Sequence, residues 1–217
     1  MSIYSFLDLL PPLLKGAGIT LEITILSMIA ALFLAMLAGI GRLSKYSMIR
    51  GVTAIYVEVF RGTSLLVQLY WLYFALPILG IELPKMAAAV LALGLNYGAY
   101  GSEVVRGSIL AVPKGHTEAG IALNMTPWQR MRCIIWPQAF VMMLPAFGNL
   151  LIELLKGTAL VSLITLADLT FQAKILSTST FQTTEIYTLL LVMYFILAYP
   201  ITWGIRLIER RVAAGRS

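Results

Sequence analysis

The chain is 217 residues long, 59% apolar before its 17 glycines are counted and only 12% charged, with a mean hydropathy of +0.87 and a net charge of +6. Soluble domains average about 45–50% apolar with glycine included and about 25% charged, so a water-soluble globule is excluded and one membrane domain, 1–217, accounts for the chain. Cys133 is the single cysteine and His116 the single histidine; an internal disulfide, a four-cysteine zinc site, a CxxC redox pair and HExxH chemistry are excluded with them, and no metal or other cofactor is expected.

Residues 1–17 have no basic start ahead of their apolar part, unlike a cleavable signal peptide. The stretch from Tyr4 to Leu14 carries Phe6, Leu7, Leu9, Leu10, Leu13 and Leu14, is interrupted at Pro11-Pro12, and reads as a short interfacial helix on the outer surface. Long apolar stretches follow at about 19–40, 52–79, 86–109, 138–165 and 186–208, each long enough to cross the hydrocarbon layer. The fold class they predict is an all-α membrane protein of five transmembrane helices. The segments between them alternate in charge. On one side lie Arg42, Lys45 and Arg50, then Arg106, Lys114, Arg130 and Arg132, then Arg206, Arg210, Arg211 and Arg216; on the other, Lys15, Lys85 and Lys174 are balanced by Asp8, Glu82, Asp168 and Glu185. The positive-inside bias places the first group in the cytoplasm, with the amino terminus outside and the carboxyl terminus inside. Nucleic acid is excluded as a partner, because a binding patch would gather these charges on one soluble face.

Charge also falls within the apolar stretches. Glu58 and Arg61, Glu103 and Arg106, and Glu153 and Lys156 each stand three apart, which on a helix puts both members on one face, where they neutralise each other. Glu103/Arg106, close to the cytoplasmic boundary, reads as a structural pair. The deeper pairs either lock the bundle or line a path, since intramembrane ionisable groups mark substrate routes. These two deeper pairs form a weak repeat: Glu58-x-x-Arg61-Gly62-Thr63-Ser64-Leu65 matches Glu153-x-x-Lys156-Gly157-Thr158-Ala159-Leu160. If the fourth span restarts after Pro145, each basic residue lies about ten residues in, roughly 15 Å at 1.5 Å per residue. Arg61 and Lys156 are thus expected beside a central path, positioned for a substrate carboxylate. Asn96, Tyr97 and Tyr100 either hydrogen-bond a polar solute or satisfy neighbouring helices. Tyr70, Trp71 and Tyr73 read as an aromatic belt, and Cys133 as a buried small hydrophobe.

The loop 111–136 is long and punctuated as two short helices. Pro113 suits a first helical turn, Asn124 the left-handed residue that ends a helix, and Thr126-Pro127-Trp128-Gln129 a capping box that starts the next. Trp136-Pro137 is expected to end that second helix where the chain re-enters the membrane.

Glu118-Ala119-Gly120, four residues ahead of Asn124 and followed by a short helix and Pro137, resembles the EAA loop of membrane subunits of bacterial ATP-binding-cassette importers. Asn96-Tyr97-Gly98-Ala99-Tyr100, Glu103-Val104-Val105-Arg106-Gly107, Val112-Pro113-Lys114-Gly115 and Arg61-Gly62-Thr63 are similar to the polar amino-acid permease branch. Asn124 stands where that loop usually has Gly, and Ser64 where the branch often has Pro. The resemblance implies a type I importer permease fold in the inner membrane and docking of Glu118, Ala119, Gly120 and Asn124 on a cytoplasmic ATPase subunit. Its implied partners are two ATP-binding subunits, a second permease, identical or related, an extracytoplasmic solute-binding protein, and membrane lipid. It also implies a polar amino acid or similar zwitterion, such as a compatible solute of the ectoine type, as cargo; the charge and polarity within the spans make Glu58, Arg61, Asn96, Glu153 and Lys156 the candidates for its path. No G-x-x-x-x-G-K-S/T phosphate loop occurs in the chain, so ATP hydrolysis belongs to a separate subunit and this one is not an enzyme. The rival is an ion-gradient-driven secondary transporter or channel, which calls for inverted repeats, whereas the repeat here is parallel.

Overall fold

The computed structural model describes residues 6–214, with side chains described for 9–207; Tyr4, and the side chains of Phe6, Leu7, Asp8, Arg210, Arg211 and Arg216, lie outside the described residues. Every described element is helical. In chain order these are α1 (Phe6–Gly41), α2 (Ser47–Gly62), α3 (Leu65–Tyr70, extended by a π turn at Trp71–Ala75 and a 3-10 turn at Leu76–Leu79), α4 (Lys85–Leu110) and α5 (Lys114–Ala122). Then come α6 (Pro127–Arg130), a π turn at Met131–Ile135, α7 (Trp136–Gly157), a 3-10 turn at Thr158–Ile164, α8 (Leu169–Thr180) and α9 (Thr183–Ala214).

Three helical runs, Leu9–Gly41, Pro127–Ile164 and Thr183–Leu207, are long and apolar enough to cross a membrane. A fourth is the pair Ser47–Gly62 and Leu65–Leu79, bent by 104° at its break. The stretch 52–79 is therefore a broken element rather than the single span its hydropathy suggests. Helix α4, with 26 residues, has the length of a span, but Asn96, Glu103, Arg106 and its glycines lower its hydropathy.

Helix α4 is the centre of the fold. Its buried positions are mostly small: Ala88, Ala89, Ala92, Gly94, Gly98, Ala99, Gly101 and Ser102. Small residues let backbones approach closely where lipid gives no hydrophobic drive to helix association. Gly94 meets Ala30, Gly98 meets Leu34, Gly101 meets Ala35 and Gly39 meets Val105, so α1 and α4 run in the same direction. Gly101 also meets Phe147 while Gly157 meets Tyr97, which makes α7 antiparallel to α4. Gly148 against Ile205 and Lys156 beside Tyr194 then make α9 antiparallel to α7. Ile25, Ile29, Phe33 and Leu37, spaced by four on α1, are each more than half exposed and form an apolar stripe suited to lipid.

Two expectations for the chain ends and loops fail. Helix α1 runs unbroken through Pro11 and Pro12. These prolines lie near its start, where few ladder bonds are at stake, and burial of Leu9 and Leu13 against Leu169, Ala173 and Ile186 holds the turn. Pro145 likewise stays inside α7, with no restart after it.

Helix α8 went unrecognised in the sequence, although Asp168 is a standard N-cap residue. Its carboxylate accepts hydrogen bonds from the N–H groups of Thr170 at 3.2 Å and Phe171 at 3.0 Å. Gly16 allows the docking, since a Cβ there would lie 2.8 Å from Leu169 Cα and 2.9 Å from the Asp168 carbonyl oxygen. Asp168 lies beyond the spans, and burial pushes its carboxyl from the ordinary 3.8 up to about 6, against the pull of its two N–H partners. A raised folded-state value means that the stabilising contribution is complete below the ordinary value and lost as pH rises through about 6. The melting temperature of wild type relative to Asp168→Asn should accordingly be higher at pH 5 than at pH 7. A difference independent of pH would count against this linkage.

Candidate functional site

A helix break, a change of helical winding and the residues that clasp them lie beside the middle of α4. Helix α2 ends at Gly62, Thr63 and Ser64 are extended, and α3 restarts at Leu65. A break inside an apolar layer leaves carbonyls without partners, and side chains must supply them. Asn96 Nδ2 donates to the Phe60 carbonyl at 3.0 Å and to Gln68 Oε1 at 3.1 Å, while Gln68 Nε2 donates to the same carbonyl at 2.9 Å and to Thr63 Oγ1 at 2.7 Å. On the other side of α4, α7 tightens into the 3-10 turn after Gly157. Here the Tyr97 hydroxyl donates to the Glu153 carbonyl at 2.9 Å and packs where Gly157 has no side chain. The first copy of the repeated Gly-Thr motif therefore marks a break and the second a change from α to 3-10 winding within one helical run, and consecutive residues of α4 reach one each. Tyr97 takes the second of its two expected roles, satisfying a neighbouring helix; Gln68 was the member left unassigned, and an isolated Gln within an apolar run was its signal.

The charges pair differently from the three-apart expectation. Glu103 and Arg106 do pair within α4, at 2.8 Å. Neither Glu58/Arg61 nor Glu153/Lys156 forms an ion pair among the described residues. Arg61 instead turns toward α4, with Nη1 3.7 Å from Glu103 Oε1 and its guanidinium 5.4 Å from the Tyr100 ring centroid. Glu103 is also paired with Arg42, just beyond the end of α1. The helices at this height thus meet across their faces, and a partner on a neighbouring helix displaces the one three residues away.

Glu58, Glu153 and Lys156 are exposed, and the Arg61 side chain is 40% exposed. Asn96 alone among the five candidate path residues is buried, engaged by the break. Lys156 lines a cleft of about 530 Å³ between α7 and α9, together with Ile152, Tyr194, Tyr199, Trp203 and Arg206. A stripe of exposed charge thus crosses α2 and α7 at the height where the flanking surface is apolar. A charge facing hydrocarbon there costs about 2.5–3.5 kcal/mol on insertion scales, so the stripe needs a cover of protein or water.

At the end of α4 facing the basic segments, Pro113 is the N-cap rather than a first-turn residue of α5. Asn124 has a φ of 55° and closes α5 in a Schellman arrangement: its N–H donates to the Ile121 carbonyl at 2.9 Å and that of Met125 to the Gly120 carbonyl at 3.0 Å. Thr126 and Gln129 form the expected capping box. Gly120 is buried because α5 sits on Arg130 and Ile134; a Cβ there would lie 2.9 Å from Arg130 Cγ. Glu118 and Ala119 are exposed beside Ile121, Leu123 and Trp128, which are 55%, 75% and 71% exposed. Two expectations are corrected in this loop. Cys133 is exposed rather than buried. The helix begun at Pro127 does not end at Trp136-Pro137 but runs on into α7. The π turn at Met131–Ile135 respaces the ladder where Pro137 offers no N–H, and Gln138 Nε2 donates to the Ile134 carbonyl at 2.9 Å.

Long apolar helices around a polar centre with a helix break, and a capped helical hairpin presenting apolar side chains between α4 and α7, define a multi-pass membrane transport component. Residues 27–214 match the family described as the binding-protein-dependent transport system inner membrane component. The chain is 47% identical over 215 residues to the probable amino-acid ABC transporter permease protein y4tF of Sinorhizobium fredii (strain NBRC 101917 / NGR234), covering 96% of this chain and 90% of that one. It is 36% identical over 205 residues to the glutamine transport system permease protein GlnP of Escherichia coli (strain K12), covering 94% of each. Its fold superposes with a TM-score of 0.90, at 37% identity, on the crystal structure of an amino acid ABC transporter with histidines, covering 96% of this chain and 99% of that one. The protein belongs to the family of binding-protein-dependent inner membrane transport components. It is a permease subunit of an importer, resides in the inner membrane, and leaves ATP hydrolysis to a separate subunit.

Proposed function

We propose that this permease passes a polar amino acid, or an amino-acid-like zwitterion such as a solute of the ectoine type, inward between itself and a second permease, identical or related. The observation that carries this reading is the exposed mid-height stripe of Glu58, Arg61, Glu153 and Lys156. Lipid cannot solvate it, whereas a second permease closing over a water-lined path can. In this reading α4 is the fifth span, its polar residues turned inward, and the basic segments place the amino terminus outside and the carboxyl terminus in the cytoplasm. Two ATP-binding subunits grip α5 of each permease, and an extracytoplasmic binding protein delivers the solute. ATP binding draws the two α5 helices together and opens the path outward; hydrolysis returns it inward. Arg61 and Lys156 receive the solute carboxylate, and Glu58 and Glu153 its ammonium group. The amino-acid permeases to which the chain is similar support the cargo class.

The test is uptake into proteoliposomes holding the permease, its ATPase and its binding protein. Import should require ATP, and the imported solute should be the one that raises the melting temperature of the binding protein. Flux driven by an ion gradient through the permease alone would overturn the reading.

A further inference from the structure

Glu103 receives three guanidinium groups, and they are not held alike. Arg106 reaches it from one turn along α4, at 2.8 Å from Nη2 and 3.2 Å from Nε. Arg42 reaches it from the end of α1 with its side chain only 18% exposed. Arg61 is the longest contact at 3.7 Å and the most exposed, at 40%. With Arg42 and Arg106 in place, Glu103 keeps its position and its counter-charge whether or not Arg61 stays. In the same pose the Arg61 guanidinium lies 5.4 Å from the Tyr100 ring centroid, a contact with the ring face that does not depend on Glu103. It is therefore the member that leaves at least cost.

The position of this contact gives it leverage. Arg61 immediately precedes Gly62, the last residue before the 104° bend. From Glu103 to Leu110 the backbone is continuous helix, and Ala111, Val112 and Pro113 lead straight into α5. Seven helical residues carry about 10 Å with little internal give. About two turns along α4 from the Asn96 clasp, this ion pair thus adds a charged tie between the broken element and the rod that leads to the docking helix.

We propose that the Arg61–Glu103 contact is a latch between the broken element and α4 that holds the resting state and keeps ATP consumption low until loaded binding protein arrives. It opens during turnover, when α5 moves and α4 moves with it, and it closes again afterwards. Arg61 and Glu103 are positioning residues in this role, acting on the ATPase only through α4 and α5. The proposal rests on the ATP-driven importer reading above.

The test uses the whole importer in lipid, with hydrolysis measured with and without loaded binding protein. Arg61→Gln, which leaves Glu103 paired to Arg42 and Arg106, should raise the unstimulated rate about two- to fivefold, the equivalent of a partly exposed ion pair. Arg61→Lys should stay near wild type. Glu103→Gln, which also takes the counter-charge from Arg42 and Arg106, should raise the unstimulated rate at least as much, and adding Arg61→Gln to it should raise that rate no further, because the Arg61–Glu103 contact is already gone. An Arg61→Gln rate equal to wild type, or a double variant equal to the product of the singles, overturns the latch. Where Glu103→Gln does not fold, Arg61→Gln against Arg61→Lys decides alone. Wild type that ignores loaded binding protein overturns the importer reading itself, an outcome distinct from a stimulated wild type with a silent Arg61→Gln.

Discussion

Glu118→Trp and Ala119→Trp should each give a permease that folds and inserts at wild-type yield, yet transports slower by about tenfold or more, the equivalent of at least ~1.4 kcal/mol of lost coupling. Hydrolysis by the associated ATPase should no longer rise with loaded binding protein. Both residues are exposed on α5, and surface substitutions away from special features cost within about 0.5 kcal/mol of stability, so misfolding does not explain a loss of this size. The damage falls on a docking surface. Ile121, Leu123 and Trp128 present apolar side chains on a loop outside the apolar spans, and such a patch marks an interaction site. A bulky ring at position 118 or 119 stands the partner off from that patch while α5 remains fixed to Arg130 and Ile134 through Gly120. Hydrolysis that still responds normally to loaded binding protein in both variants would refute the docking role.

The turns of the hairpin between α4 and α7 were legible in the sequence because their signals are local. The left-handed Asn124 and the Thr126/Gln129 capping box each involve residues no more than a few positions apart, and backbone sterics decide them before any tertiary contact forms. The apolar stretches were legible for the same reason, as length and hydropathy are properties of a segment. What hydropathy could not show is where a helix breaks inside an apolar run. Gly62-Thr63-Ser64 is flanked by residues apolar enough to continue, and the bend is sustained by donors to the Phe60 carbonyl from Gln68, just past the break, and from Asn96, distant in sequence on α4. The first copy of the repeated Gly-Thr motif did mark the break, while the second marks only a change to 3-10 winding. The charge pairing failed more instructively. Spacing says which residues on one helix are able to meet, but the choice of Arg61 between Glu58 and Glu103 is made by how α2 crosses α4. The run through Trp136-Pro137 failed because a π turn, which no local residue pattern announces, accommodates the proline.

Lys156→Gln should reduce uptake about ten- to hundredfold, mostly as a raised KM for solute-loaded binding protein, with folding unaffected. The magnitude is that of one hydrogen bond between charged groups, about 1.5–3 kcal/mol. The argument rests on Lys156 lacking any acidic partner among the described residues, although Glu153 is one turn away on the same helix. It also lines the α7–α9 cleft with Tyr194 and Tyr199 rather than bracing a neighbouring helix. A lysine serving only to lock the bundle would be paired, whereas an unpaired one at this height is what the proposed carboxylate site requires. Asn96→Ala supplies the contrast. Asn96 is 5% exposed and its amide serves the Phe60 carbonyl and Gln68, so its loss strands buried polar atoms at a cost of about 1–3 kcal/mol. It should lower the melting temperature, with uptake per folded complex changed far less than by Lys156→Gln. Removing the lysine with no change in KM would shift the carboxylate site away from α7. A fall in melting temperature for both variants alike would make Lys156 structural instead.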